Sequence, residues 1–415
     1  MRAEVCIIGG GPGGCAAALQ LAKHGIATVL LEKARFPRDK VCGDALSGKV
    51  MRALERLDPV LAARVKSDAA SQPSWGVTFV APSGRSLRVP FSRDTGIGEA
   101  PGAILPRLFF DDLLFQRVKQ APGITVMEGA RAEGFHRVDG GWRIDVEGAA
   151  KVVVECRILV DASGANSRFA RNVAGLAMEP RHHAAGVRAY FSGVQGLDPQ
   201  GFIELLFLKE LLPGYFWIFP LPGGRANVGL GLRSDVVSKR HVDLKATLQE
   251  LIATHPQLRR RFADARLEGG IQGMGLPLAS KRSALSGDGF LLVGDAGHLI
   301  DPFTGEGISH AMISGMHAAD VAAEMLASGN VTASEAKRYD ERVWKRLGKE
   351  LAISTRLQQL ADKAWLFDFV VDRANRNPAL ADTISSMFND LDLRERLRKP
   401  GFYMDLLMGR APKGA

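Results

Sequence analysis

Near the start of the chain, Gly9-Gly10-Gly11-Pro12-Gly13-Gly14 places Gly9, Gly11 and Gly14 in a GxGxxG spacing. Each glycine has a physical task. Gly9 permits a tight turn, Gly11 lets the backbone approach a pyrophosphate, and Gly14 lets a helix pack close to a strand. The flanking residues supply those elements. Glu4–Ile8 reads as a short buried strand and Cys15–His24 as a helix. A phosphate at that helix start meets free N–H groups and the positive end of the dipole. Thr28–Glu32 reads as a second buried strand, and Glu32 ends it where an acid accepts from ribose hydroxyls. Pro12, Gly13 and the following Lys33 complete this candidate set. A glycine-rich turn beside an unrelated Glu is the plain alternative, and it requires four features to fall in register by accident.

A second carboxylate stands in Leu291-Leu292-Val293-Gly294-Asp295-Ala296-Gly297-His298, at the end of an expected strand Gly289–Val293. Ligands bind beyond strand ends in open α/β sheets. Asp301-Pro302-Phe303-Thr304-Gly305-Glu306-Gly307 follows, and Ile308 continues an expected helix Gly307–Ala327. Asp295 can accept from ribityl hydroxyls, and the helix start can stabilise negative charge on the N1–C2=O edge of a reduced flavin. The glycine motif alone does not separate FAD from NAD; these further segments point to FAD. His298 reads either as orienting this loop or, preferably, as a structural histidine.

These segments resemble the FAD motifs of the group A flavoprotein monooxygenase and geranylgeranyl reductase superfamily, which has the p-hydroxybenzoate hydroxylase fold. Asp161-Ala162-Ser163-Gly164-Ala165-Asn166-Ser167-Arg168 is similar to its middle motif, with Ala162-Ser163 departing from the pattern. Arg107-Leu108-Phe109-Phe110-Asp111-Asp112-Leu113-Leu114 resembles its RxxFDxxL helix, whose Arg approaches the flavin side. Phe36-Pro37-Arg38-Asp39-Lys40-Val41-Cys42-Gly43 resembles the PxxKxCG segment of geranylgeranyl reductases. The resemblance implies a loop close to the flavin. There Lys40 or Arg38 neutralises cofactor charge, Gly43 lies beside the cofactor, and Cys42 affects proton delivery. Cys42 reads equally as a small buried hydrophobe.

Tyr215-Phe216-Trp217-Ile218-Phe219-Pro220, followed by Gly229-Leu230-Gly231, resembles the YxWxFP…GxG motif that lines the lipid cavity of those reductases. Alternation on a strand puts Tyr215, Trp217 and Phe219 on one face. Such a face is an apolar wall for an isoprenoid chain or an ordinary sheet core. Gly229 and Gly231 are expected to leave space in front of it.

The 415 residues are 46% hydrophobic, enough for a large core in two or three domains. A net charge of +9 favours acidic partners, yet the basic residues are scattered and no nucleic-acid motif is visible. Cys6, Cys15, Cys42 and Cys156 include no CxxC pair. That argues against a metal site or a disulfide framework and suits a reducing cytosol. No apolar run reaches the roughly 20 residues of a membrane-spanning helix. The glycines of the N-terminal stretch argue against a signal peptide.

The fold class expected is mixed α/β and α+β. A Rossmann-like FAD-binding domain of glutathione-reductase type would carry an inserted antiparallel β-sheet substrate domain and a helical C-terminal region. The discontinuous FAD domain would comprise 1–70, 100–175 and 275–330. The β-rich substrate domain would take 71–99 and 176–274, and the helical region 331–415. Local expectations include one helix over Lys49–Val65, a loop over Ser67–Ser74 and a helix over His241–His255. They also include helices after Ser334 broken at Pro378 and Pro400.

The resemblance implies an FAD-dependent oxidoreductase that reduces C=C bonds of an isoprenoid or other lipid by hydride transfer. A monooxygenase or halogenase is the alternative, with Lys66 the only lysine suggested for halogenation. A non-catalytic flavin or lipid carrier is the third reading. No second GxGxxG unit precedes a helix, so electrons would come from docked NAD(P)H or a donor protein. A cytoplasmic protein is expected, with peripheral contact at the inner membrane face. Trp365–Val371, flanked by Lys363, Arg373 and Arg376, could dock on an anionic surface, but packing against the body is the preferred reading.

Overall fold

The computed structural model describes residues 1–91, 98–360 and 363–377. Its first layer is a largely parallel sheet. Arg2–Ile8 lies at its centre, between Val152–Asp161 and Thr28–Glu32. Phe290–Leu292 and Ile124–Glu128 extend it outward, both parallel to their neighbours. The register places Ile8 beside both Asp161 and Leu31, so three strand ends open on one edge. Every residue of Thr28–Glu32 is buried, as expected of a strand covered on both faces.

Helix Pro12–Lys23 crosses this sheet against helix Ile308–Ser328. The two approach through glycine. A Cβ on Gly315 would stand 2.3 Å from the Gly13 carbonyl oxygen. Small residues at that crossing therefore let both helix starts converge on one edge of the sheet.

The second layer is a seven-stranded sheet. Its order is Arg266–Pro277, His183–Ser192, Arg225–Arg233, Tyr215–Leu221, Ile203–Leu206, Gly76–Val80 and Ser86–Pro90. All its pairings are antiparallel except that of Ile203–Leu206 with Gly76–Val80. A small sheet of Ala45–Leu46, Gly102–Ile104 and Gln72–Ser74 lies at the junction. The expected fold class holds.

Several local expectations change. Lys49–Val65 is two helices, Gly48–Leu57 and Pro59–Ser67. Pro59 lacks the N–H that would continue the first helix, and the Asp58 carboxylate caps the second by accepting from Val60 and Leu61 N–H. The loop expected to reach Ser74 contains the strand Gln72–Ser74, paired with Gly102–Ile104. The stretch expected as helix His241–His255 begins later. His241 takes a left-handed φ of 54° that ends Ser234–Arg240, and Asp243 then caps Leu244–Thr254. At the C-terminal side, Ala333–Leu360 and Ala364–Arg376 are helices. Pro378, Pro400 and the rest of 378–415 lie outside the described residues.

Helix Ala364–Arg376 packs against the body. Phe367 stacks on Phe207 with ring centres 4.1 Å apart, Val371 and Ala374 are buried, and Asp372 pairs with Arg85. Trp365 stays exposed. Among the described residues, no helix is long and apolar enough to cross a membrane.

Candidate active site

The glycine turn forms a tight cradle. Gly9 has φ 101°, and a Cβ there would meet the Ala162 carbonyl oxygen at 2.4 Å. A Cβ on Gly14 would fall 1.8 Å from the Gly9 oxygen, and one on Gly13 would fall 2.7 Å from Val293. Gly11 differs. Its open side faces only the Arg38 guanidinium, 3.8 Å from where a Cβ would be. The helix from Pro12 has no side-chain cap. Its free N–H groups and the gap at Gly11 fit a pyrophosphate.

Glu32 is buried, accepting from Gly10 N–H at 2.7 Å and from Ala34 N–H at 2.8 Å. Each of its oxygens keeps a lone pair for a hydroxyl donor. Lys33 is exposed. Asp161 turns into its own loop. Its oxygens accept from Ser163 N–H at 3.1 Å, Ser163 Oγ at 2.6 Å and Ser167 Oγ. Burial raises its pKa above the usual carboxylate range, and the serines partly offset that rise. Ala162, next in the chain, walls the glycine cradle, while Gly164 turns the loop at φ 87°.

A cavity open to solvent begins beside Pro12. Lys40, Cys42, Gly43, Arg107, Asp295, Pro302, Gly305, Glu306, Gly307 and Ile308 line one part. Tyr215, Trp217, Phe219 and Gly231 line another. Residues far apart in the chain and proposed for cofactor and substrate therefore share one space.

Charged groups near the cradle are tightly paired. Arg107 and Asp111 form a bidentate pair at 2.5 and 2.7 Å, both buried, and Arg38 adds a bond to Asp111 at 2.5 Å. Burial alone would raise the Asp111 pKa, but Arg107 and Arg38 hold it below its usual value. Lys40 donates to Asp295 at 3.0 Å. Glu306 accepts from Ser309 N–H and Oγ at 2.8 and 2.6 Å, in the first turn of the helix that follows Gly307. His298 adopts a left-handed φ of 53°, and burial lowers its pKa.

The wall is locked to these loops. Tyr215 donates to the Thr304 carbonyl at 2.6 Å, and a Cβ on Gly305 would meet the Tyr215 hydroxyl at 2.8 Å. Gly43 allows Phe219 to approach, since a Cβ there would lie 2.6 Å from the ring. Cys42 is half-buried, within electrostatic range of Arg107 and Tyr215.

Two expectations about the wall change. Pro220 alternates onto the opposite face, with Phe216 and Ile218, and does not line the cavity. Gly229 leaves no open space, because the Trp217 indole occupies it. A Cβ there would lie 2.3 Å from that ring. Gly231 is the open one, its nearest neighbours 3.8 Å or more away.

Sequence reasoning missed Asp44, Arg188, Tyr190 and Asn227, which form a buried polar cluster behind Trp217. One signal was readable. Asn227 alternates with Gly229 and Gly231, and Arg188 with Tyr190, so each pair shares a strand face. Lys66 lies outside the cavity lining, paired with Glu55 and Glu99. Among the described residues, no cluster of His, Cys, Asp and Glu could hold a metal.

Fold and site define a flavoprotein. The profile of the FAD binding domain family matches residues 2–342. The menaquinone reductase of Mycobacterium tuberculosis (strain ATCC 25618 / H37Rv) is 29% identical over 368 residues, covering 86% of this chain and 84% of the relative. Digeranylgeranylglycerophospholipid reductase 1 of Methanopyrus kandleri is 33% identical over 357 residues, covering 82% and 86%. A geranylgeranyl bacteriochlorophyll reductase-like structure from Thermoplasma acidophilum superposes with a TM-score of 0.79 at 24% identity, over 98% of this chain and 99% of that one. A flavin-dependent brominase superposes with 0.75 at 21% identity, over 94% and 93%. The chain belongs to the geranylgeranyl reductase family of the FAD-dependent monooxygenase-like superfamily, and it is an FAD-dependent oxidoreductase.

Proposed function

We propose that this enzyme saturates C=C bonds in an isoprenoid chain carried by a lipid or a quinone. The observation that carries the reading is the single cavity joining the cofactor loops to the Tyr215–Trp217–Phe219 wall. The reductase names of the relatives support it.

In this reading the cofactor unit is built from 1–70, 100–175 and 275–330, the substrate unit from 71–99 and 176–274, and a C-terminal region follows from 331, helical over Ala333–Leu360 and Ala364–Arg376. Gly9, Gly11, Gly13, Gly14 and the start of the Pro12 helix hold the pyrophosphate, and Glu32 takes the adenosine ribose. Asp295 takes the ribityl chain, backed by Lys40. Arg107, Gly43 and the loop Pro302–Ile308 hold the ring end, where the helix start favours negative charge. Asp161 and Gly164 shape the cradle from behind, and Lys33 lies at its outer edge. Bound FAD, when reduced, supplies a hydride to one alkene carbon. The chain's task is to present the other carbon to a proton and to exclude water. Tyr215, Trp217, Phe219 and Gly231 provide an apolar surface that orients the alkene. Cys42 places its Sγ on the same cavity wall.

Electrons come from outside the chain, from docked NAD(P)H or a donor protein. A greasy substrate brings the protein into peripheral contact with the membrane, and exposed Trp365 offers a surface for it.

The deciding experiment is a product assay. Chemically reduced enzyme is mixed with geranylgeranyl lipids or menaquinone, with and without oxygen and halide, and products are read by mass spectrometry. A gain of two hydrogens per turnover without oxygen supports the reading. Oxygen or halogen incorporation without saturation moves the protein to monooxygenase or halogenase chemistry, and lipid binding without flavin reoxidation makes it a carrier.

A further inference from the structure

Between the Cys42–Gly43 loop and the aromatic wall, on the lining of the same cavity, lies a buried carboxylate whose hydrogen-bond partners are all protein groups. Asp44 is fully buried and holds a left-handed φ of 67°, a conformation that Asp adopts more readily than most residues other than glycine. One of its oxygens accepts from Tyr190 OH at 2.6 Å and from Asn227 Nδ2 at 2.7 Å. The other accepts from the Arg107 backbone N–H at 3.2 Å. Asn227 is fully buried too, and both ends of its amide are used. Its Nδ2 also donates to the Cys42 carbonyl at 2.7 Å, and its Oδ1 accepts from Trp217 Nε1 at 2.9 Å. Two adjoining side chains thus join the thiol-bearing loop, the helix of the Arg107–Asp111 pair and the centre of the wall.

Stability alone does not account for this arrangement. A buried charge is commonly replaced by apolar packing without loss, so what a retained one supplies is geometry. Burial pushes the Asp44 pKa up to about 6, opposed by Tyr190, Asn227, Arg188 and the Arg107 N–H. Arg188 lies over the Tyr190 ring at 4.2 Å and bonds Asp39 at 2.6 Å, and its buried Nε has no partner.

We propose that Asp44 is the positioning residue of the reaction site. Through Asn227 it holds the Cys42–Gly43 loop at a fixed separation from Trp217, and so sets where the double bond lies relative to the thiol and the cofactor. What is positioned rests on the reductase reading; the clamp itself does not.

The test is a double-mutant cycle on the FAD-loaded protein with Asp44→Asn and Trp217→Phe, which removes the indole N–H. In the parent, Asp44→Asn should lower kcat by about 30-fold and shift KM by less than about threefold. In the Trp217→Phe background the same change should cost under about fivefold, because residues of one network are not additive. Groups facing Asp44 are Tyr190, Arg188 and Arg107, with Asp39 behind Arg188 and Arg225 near the Tyr190 ring. Turnover of the parent should fall as pH drops through about 6, and Asp44→Asn should lose that limb. Additive effects overturn the proposal, as does a loss fully explained by FAD content or melting point. If Asp44→Asn does not fold, Tyr190→Phe, which removes one bond from the rim, takes its place with the same criteria. If the parent reduces no alkene, the reductase reading fails by itself. The cycle is then read on the visible spectrum and midpoint potential of bound FAD, where coupled shifts support the clamp and independent ones sink it.

Discussion

The glycine cradle and the aromatic wall serve one cavity by opposite means. The cradle works by lacking side chains. Its glycines are near neighbours in the chain, and four of the five leave no room for a Cβ, Gly9 and Gly14 against backbone, Gly10 and Gly13 against the Phe115 and Val293 side chains. The wall works by side chains brought together from afar. Asp44 and Asn227 are 183 positions apart, and Tyr215 and Thr304 are 89 apart. A site of the first kind fails when an atom is added. One of the second kind fails when a partner is removed.

The sharpest way to break this contrast is Gly14→Ala. Its methyl would lie 1.8 Å from the Gly9 oxygen, so soluble protein should lose at least about tenfold in FAD retention, read by flavin absorbance after gel filtration. Retained flavin would show that the cradle yields. Next is Arg107→Ala, which leaves the buried Asp111 carboxylate with Arg38 as its cationic partner. Urea unfolding should show a loss smaller than the roughly 3–5 kcal/mol of a fully stranded buried charge, and Arg38→Ala in the same background should bring the loss up to that range.

A third test concerns pH. The folded pKa of Asp44, about 6, lies above its ordinary 3.8. Its stabilising contribution is therefore full below about pH 4 and is lost as pH rises through about 6. Between pH 4 and 8, stability of Asp44→Asn relative to the parent should improve by up to about 3 kcal/mol. A flat difference would mean that Asp44 titrates normally.

Within the wall, Gly229→Ala should destabilise, because its methyl meets both Trp217 and the Val187 oxygen. Gly231→Ala should fold normally and shift preference toward slimmer substrates, read by comparing KM across chain lengths. Smallest of all, Lys66→Ala should leave turnover and the urea midpoint unchanged, because exposed ion pairs add little.

The same contrast explains what could be read from the sequence. Gly9–Gly14 and Glu32 are legible because a strand, a turn and a helix in succession impose local spacing. The face of Tyr215, Trp217 and Phe219 follows from alternation alone. Asp44 was hidden, since its partners come from two distant strands and the start of a distant helix, and nothing local marks a burial that such donors make tolerable. Gly229 misled for a related reason. A glycine on a wall face means space, but only the tertiary structure says that Trp217 has filled it. Asp58-Pro59 was a missed local signal, a cap followed by a helix start inside an otherwise periodic stretch.

Strand Tyr215–Leu221 carries a consequence for how such enzymes diverge. Its odd-numbered side chains, Tyr215, Trp217 and Phe219, line the cavity, while Phe216 and Ile218 belong to the packed interior on the other side. Drift in one set reshapes what the enzyme accepts, and drift in the other undermines the scaffold. Because they interleave residue by residue, a point change at an odd position reaches the cavity without touching the interior behind the strand, but it also reaches the contact that position makes with Thr304, Asn227 or Gly43. One short strand thus ties what the enzyme accepts to how its loops are held.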